Sequence, residues 1–289
     1  MKNIIVPIDF SKEAMPGVNL ALMLANKTGA NIQMVHVIFS DEYTDVMQLK
    51  KEYNQTMIRF EEIYHNCKDR IGSNFTLKYE VKDGIIFKEI SEFASGFEDA
   101  IIVLTTHGVS GFEELFIGGN AYKIISHSKI PVISVRRCSL PSSIDKIVLP
   151  LDLTMQTREK VPFTVKLAKY FDSVIHLVTV RQSNLDGIEK KLHNYANQVA
   201  IYLDAQNVKY KIEHLLGSNL TDETIEYSRY INSDLISIMT EQENSISNLL
   251  LGSYAHQMIN KAFVPVLSFP TYQVSISQDT FKTEGRYSV

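Results

Sequence analysis

The segment LFIGGNAYKIISHSKIPVISV, residues 115–135, recurs without a gap as LLLGSYAHQMINKAFVPVLSF, residues 249–269. Gly118 falls on Gly252, Ala121 on Ala255 and Pro131 on Pro265. A second match lies upstream of each. NIIVPIDFS at residues 3–11 aligns with KIVLPLDLT at residues 146–154, placing Pro7 on Pro150 and Asp9 on Asp152. Solenoid repeats have periods of about 20–50 residues. These matches are spaced much more widely, so the chain reads as two copies of one domain. RRCSLPSS, residues 136–143, has the Pro and Ser of a linker. The reading is therefore a first domain over residues 1–137, a second over 144–270, and a polar tail over 271–289.

Within copy one, apolar runs alternate with amphipathic ones. Residues 4–8 are continuously apolar and β-branched, as in a strand buried on both faces. Ser11 is positioned to cap a helix running to about Lys27, with Ala14, Val18, Ala21, Leu22 and Ala25 on one face and Thr28-Gly29 ending it. A strand over 32–38 follows, then a long helix from a Thr44 cap to about Cys67. A strand over 75–81 leads to a turn at Asp83-Gly84 and a helix over 86–97. Strand 100–104, helix 113–127 and strand 132–135 complete the copy. Copy two repeats the order, with strands near 147–151, 174–180, 208–213, 235–239 and 266–268. Such alternation implies an α/β fold: two tandem doubly wound parallel sheets with right-handed crossovers. Ligands of such sheets bind beyond the carboxyl ends of the strands, where strand order reverses.

The most informative loop follows the fourth strand of copy one: LTTHGVSGFEELFIGGN, residues 104–120. An apolar strand opening into glycines and then a helix suits phosphate binding, because glycine lets an anion approach free backbone N–H groups. It lacks the GK[ST] of a P-loop. On the glycines alone, a plain turn and an anion site are both open. The spacing Gly108-x9-Gly118 resembles the universal stress protein motif G-x2-G-x9-G-[ST]. Thr105 stands where that motif has its first Gly, and Gly119 where it has Ser or Thr. Pro7-x-Asp9, His36-Val37 and the closing Lys129-Ile130-Pro131-Val132 extend the resemblance over nearly the whole chain, twice.

The resemblance implies five strands per domain in the order 3-2-1-4-5, the adenine nucleotide alpha hydrolase-like fold. It also implies ATP or a related adenine nucleotide as ligand, with magnesium left open. Asp9 and backbone groups of Val37 would then meet the adenine end. Gly108, Gly118, Gly119 and Asn120 would meet phosphates, with Pro7 and Thr105 beside them. Thr106 adds a second strand-end hydroxyl; Gly111 and His107 are weaker candidates. Asn120 offers a donor amide where Gly119 lacks the family's hydroxyl. The fifth strands, residues 133–135 and 267–269, would pair within the chain as a pseudo-dimer, and a further homodimer stays open.

Copy two places Met239, Gln242 and Gly252-Ser253 at the motif positions, with Glu241 and Glu243 nearby. Those carboxylates would repel phosphates, most strongly away from water. The expectation is that only copy one keeps a mouth open to an anion.

Composition narrows the rest. A net charge of -4 at pH 7 argues against a nucleic-acid partner, which needs a basic footprint. No run of about eighteen apolar residues is present, so no membrane partner is expected. Cys67 and Cys138 share no motif and read as free thiols of a cytoplasmic protein. Scattered histidines, no zinc spacing and no nucleophile elbow give no catalytic residue and no metal site. Three functions remain: a regulatory nucleotide binder, an interaction protein without nucleotide, and a slow ATP hydrolase.

Overall fold

The structure, a computed structural model, describes residues 1–106, 118–136, 140–154, 156–181, 186–240, 243–245 and 248–271. Copy one runs β1 (Asn3–Pro7), α1 (Met15–Thr28), β2 (Asn31–Phe39), α2 (Val46–Cys67), β3 (Leu77–Gly84), α3 (Ile86–Ser95), β4 (Ala100–Thr105), α4 (Gly119–His127) and β5 (Val132–Val135). Copy two runs β6 (Lys146–Leu151), α5 (Val161–Phe171), β7 (Val174–Arg181), α6 (Asp186–Ala205), β8 (Tyr210–Leu216), α7 (Leu220–Tyr230), β9 (Leu235–Met239), β10 (Glu243–Ser245), β11 (Asn248–Leu250), α8 (Ser253–Lys261) and β12 (Val266–Phe269).

One ten-stranded sheet carries both copies, in the order β3-β2-β1-β4-β5-β12-β9-β6-β7-β8. Each half is parallel and ordered 3-2-1-4-5, as the alternation and the resemblance imply. The halves meet through antiparallel pairing of β5 with β12, centred on Ile133 opposite Leu267. The paired residues are 132–134 and 266–268, one step earlier on both strands than expected. The join turns two edge strands into interior ones and removes their unpaired backbone groups from water.

Two apolar layers cover the sheet, and each spans both copies. One contains Ile4, Val6, Ile101, Ile133, Ile147 and Leu267, under helices that include α1 and α5. The other contains Ile5, Ile102, Val132, Val148, Ile236 and Val266, under α3, α4, α7 and α8. The side-chain period of two along a strand sends alternate residues to opposite faces, so strands buried on both faces read as continuous apolar runs.

Several local expectations are corrected. Ser11 does not cap α1; a short 3-10 turn at Lys12–Ala14 leads into it, and Pro16 sits in its first turn, where no N–H is needed. The cap of α2 is Asp45, whose carboxylate accepts from Met47 N–H at 3.1 Å, while Thr44 bonds Asp41 instead. Gly84 ends β3 at φ 136° rather than forming a separate turn. Gly29 does end α1, in the left-handed conformation with its N–H on Ala25 O. Of the helix expected over 113–127, residues before 118 lie outside the described ones, as do Cys138 and the tail beyond 271.

The β1–β4 ladder pairs only Asn3, Ile5 and the residue between them, although both strands continue. Ile8 N–H donates to Val35 O on the β2 side at 2.8 Å. Backbone groups alternate sides along a strand, so the nitrogen of Pro7 faces β4, and it carries no hydrogen to donate. The ladder stops there and the two strand ends stay apart.

Ile133 is fully buried at the join. Replacing it with Ala should cost about 2–4 kcal/mol, and urea unfolding followed by fluorescence and by circular dichroism should still show coincident transitions, because both apolar layers cross the join.

Candidate functional site

Past the end of the β1–β4 ladder lies a crevice of about 370 Å³, within the range of small-molecule sites. Pro7, Asp9, Val37, Thr105, Gly118, Gly119 and Asn120 all line it. Of the residues singled out in the sequence as site candidates, Gly108 lies outside the described ones, along with Gly111 and His107.

Asp9 follows β1 directly. Its Oδ1 accepts from Ser11 N–H at 2.9 Å and from the Ser11 hydroxyl at 2.6 Å. That turn fixes the carboxylate, and both bonds fall on one oxygen. Phe10 beside it adopts φ 58°, a left-handed conformation uncommon for a bulky residue. Its ring packs on His36 and Phe60 at 4.8 and 4.9 Å.

His36 lies on β2. Its Nδ1 is 2.6 Å from Ile8 O; a carbonyl only accepts, so Nδ1 carries the proton and Nε2 is the acceptor of the neutral ring. Burial pushes its pKa below the usual histidine value, against the raising effects of that bond and of Asp9. Val37 is one step further. The β1–β2 ladder ends at Pro7 opposite Val35. By the same alternation, Val37 N–H and C=O face the β1 side just past the last pair.

On the other wall, β4 ends in two threonines with different roles. Thr105 lines the crevice. Thr106 is buried, with its N–H and hydroxyl on Val135 O at 3.0 and 3.4 Å. Thr106 lines the crevice as well, with its hydroxyl bonded toward β5.

Thr106 O in turn accepts from Gly118 N–H at 2.7 Å, which ties the start of α4 to the end of β4. Tyr122 N–H donates to Gly118 O, the first bond of the helix. The N–H groups of Gly119, Asn120 and Ala121 precede it, at the positive end of the helix dipole. A Cβ built on Gly119 meets nothing within 4 Å, so there is open room above this first turn. Ile86 and Ile90 of α3 supply an apolar wall. Among the described lining residues Asp9 and His36 are the titratable ones, and no three His, Cys, Asp or Glu side chains among the described residues gather as a metal site.

Copy two repeats the fastening. Thr240 N–H and hydroxyl bond Phe269 O, and Gly252 N–H bonds Thr240 O at 3.1 Å. The gap-free alignment therefore holds at the strand end and helix start. Copy two also has a cavity, of about 570 Å³; the expectation concerned only its openness to an anion. It extends toward α6 and α7; Ser253 and Tyr254, the twins of Gly119 and Asn120, line it, while Met239, Thr240 and Gly252 do not. The sequence signal for it, Asn219 capping α7 beside Ser218 and Thr221, carries no motif and was not singled out.

A strand-end crevice at the point of order reversal, in a duplicated doubly wound sheet, defines the adenine nucleotide alpha hydrolase-like class. Comparison with known proteins agrees. The model of the universal stress protein family matches residues 1–136 and again 143–270, and the chain belongs to that family. A candidate universal stress protein of Staphylococcus aureus strain USA300 is 27% identical over 164 residues, covering 55% of this chain and 96% of that protein. In fold, the chain resembles a universal stress protein from Archaeoglobus fulgidus (TM-score 0.74, 17% identity, 93% of this chain and 98% of that one). A second such structure, from Pseudomonas aeruginosa, gives a TM-score of 0.65 at 14% identity, with 93% of each chain covered. No described helix is long and apolar enough to cross a membrane.

The open space at Gly119 and the serine at its twin, Ser253, generate a direct test. Gly119→Ser should leave the melting temperature within about 2 °C, since surface changes alter stability little. By adding a hydroxyl donor it should tighten the hold of this turn on an offered phosphate group about 3–10-fold, a net hydrogen bond being worth roughly 0.5–1.5 kcal/mol. Calorimetric titration of both proteins reads the difference.

Proposed function

We propose that this universal stress protein is a regulatory adenine-nucleotide binder, with ATP or a related nucleotide held in the crevice of copy one. The observation that carries the reading is the convergence there of Asp9, Val37 and the first turn of α4, past the point where the β1–β4 ladder stops. Asp9 Oδ2 would accept from a base amino or a ribose hydroxyl group. Val37 N–H and C=O would offer one donor and one acceptor to the base edge. Ile86 and Ile90 would cover an aromatic face. The N–H groups of Gly119, Asn120 and Ala121 would donate to phosphate oxygens, with Thr105 beside them.

A second reading, an interaction protein acting through its surface, is favoured by one observation. Tyr43, Val46 and Met47, at the entrance of α2, are 89%, 77% and 81% exposed, an apolar group where solvated residues are usual. The two readings are compatible if a partner senses nucleotide occupancy. Slow hydrolysis of ATP is the third. The lining offers His36 Nε2 and Asp9 as proton acceptors, and the Ser11 hydroxyl that Asp9 holds does not line the crevice.

The deciding experiment is mass spectrometry of nucleotides released from the purified full chain, together with ATP titration with and without magnesium. The reading expects an adenine nucleotide at close to one per chain, or micromolar binding of added ATP. Asp9→Ala should weaken that binding about tenfold, a loss of about 1.4 kcal/mol. Release of no nucleotide and no heat with millimolar ATP would sink it in favour of the interaction reading. Phosphate release by the wild type, lost in Asp9→Ala, would instead establish the hydrolase.

A further inference from the structure

We infer that the entrance of α2 is a self-docking surface, through which two copies of this chain pair about a two-fold axis. The inference deepens the interaction reading above and rests on the same exposed group, Tyr43, Val46 and Met47; it needs no nucleotide. The group sits on a built turn. Asp41 Oδ1 accepts from Tyr43 N–H at 3.0 Å and from the Thr44 hydroxyl at 2.9 Å. Thr44 Oγ1 in turn accepts from Asp41 N–H at 2.9 Å, and Asp45 caps the helix. These bonds fix the segment that carries Tyr43 and leads into Val46 and Met47, so docking has little left to order.

The fold does not call for apolar residues here. α2 packs on β2 and β3 through its other face, where Phe60 is fully buried. At the corresponding start of α6, Gly187 is exposed and Ile188 lines copy two's own cavity. No large apolar side chain is exposed there among the described residues. β3 is an edge strand of the ten-stranded sheet, and the β5–β12 join is at its centre. The entrance of α2 therefore lies at the outer end of the molecule, where a second copy can approach.

Charge order selects the partner. Asp41, Glu42 and Asp45 lie toward the N-terminal side of the apolar group, and Lys50 and Lys51 lie on its C-terminal side. All five are exposed, and none forms an ion pair among the described residues. Residues four apart on a helix are neighbours, so Lys50 lies beside Val46 and Lys51 beside Met47. A two-fold axis through the apolar group brings the acids of each copy to the lysines of the other, twice. A patch that is acidic at one end, basic at the other and apolar between is its own complement. The apolar centre is small beside a standard interface of about 1,600 Å². The pair is therefore reversible, with a Kd on the order of 10–100 μM.

The test is sedimentation equilibrium of the nucleotide-free full chain over micromolar to millimolar concentrations, with NMR of its isotope-labelled Val and Met methyl groups. Mass should rise with concentration, and the Val46 and Met47 signals should move along the same curve. Lys50→Glu combined with Lys51→Glu should weaken association at least about tenfold in low salt, because like charges then face each other. At about 1 M salt, where screening acts within about 3 Å, variant and wild type should converge. Val46→Asn combined with Met47→Asn should weaken association at either salt, with circular dichroism confirming the fold. The inference is overturned if the chain stays monomeric at millimolar concentration, or if it associates while Val46 and Met47 signals stay in place. It is equally overturned if the lysine variant associates like wild type in low salt. A monomer whose Val46 and Met47 signals move in cell extract overturns the pairing and leaves the interaction reading to another partner. A monomer whose signals stay put there ends both.

Discussion

One missing hydrogen shapes the site. Every other residue of β1 can complete the ladders on either side, but Pro7 presents a bare ring nitrogen toward β4. Two central strands, buried on both faces, would otherwise pair along their full length. Stopping the ladder after Ile5 leaves the ends of β1 and β4 to diverge at the place where the chain reverses its strand order. Pro150 repeats the constraint in copy two, where β6 and β9 pair over Ile147 and Val148 only. Both cavities open beyond those points.

The halves are fastened alike and used differently. In each, a threonine after the fourth strand bonds the end of the fifth, and its carbonyl receives the N–H of the glycine that starts the next helix. That bond sets where the helix N-terminus sits. In copy one it leaves Gly119 in open space. In copy two the intervening segment includes a hairpin packed on α4, bonded at its end to Tyr122. The β5–β12 join makes this contact permanent within one chain. Lys166 of α5 also bonds Asp99 across the copies at 2.6 and 2.8 Å, partly exposed and so of modest worth.

Architecture was legible because it rests on long-range pattern: buried strands such as residues 4–8 and 100–104 are continuous apolar runs, and the duplication fixes the order twice. The crevice was legible through Pro7, Asp9 and Gly118, since backbone requirements leave a mark in residue type. Caps were less so. Ser11 and Thr44 have the right chemistry, but Asp9 captures one and Asp41 the other, and a single sequence does not rank competing local bonds. Thr105 and Thr106 both line the crevice, but the bond that ties the Thr106 hydroxyl to Val135 O leaves no mark in residue type. The copy-two cavity was illegible for another reason: its rim gathers Thr154, Ser218 and Gln257 from separate elements, with no spacing to connect them.

The account turns on the open end of the β1–β4 ladder, so the sharpest measurement is the ATP affinity of Pro7→Val by calorimetric titration. Valine suits a strand and restores the N–H. The account predicts that the ladder extends, the crevice narrows, and affinity falls at least about tenfold while the melting temperature holds or rises. Unchanged affinity in a folded Pro7→Val protein would contradict it.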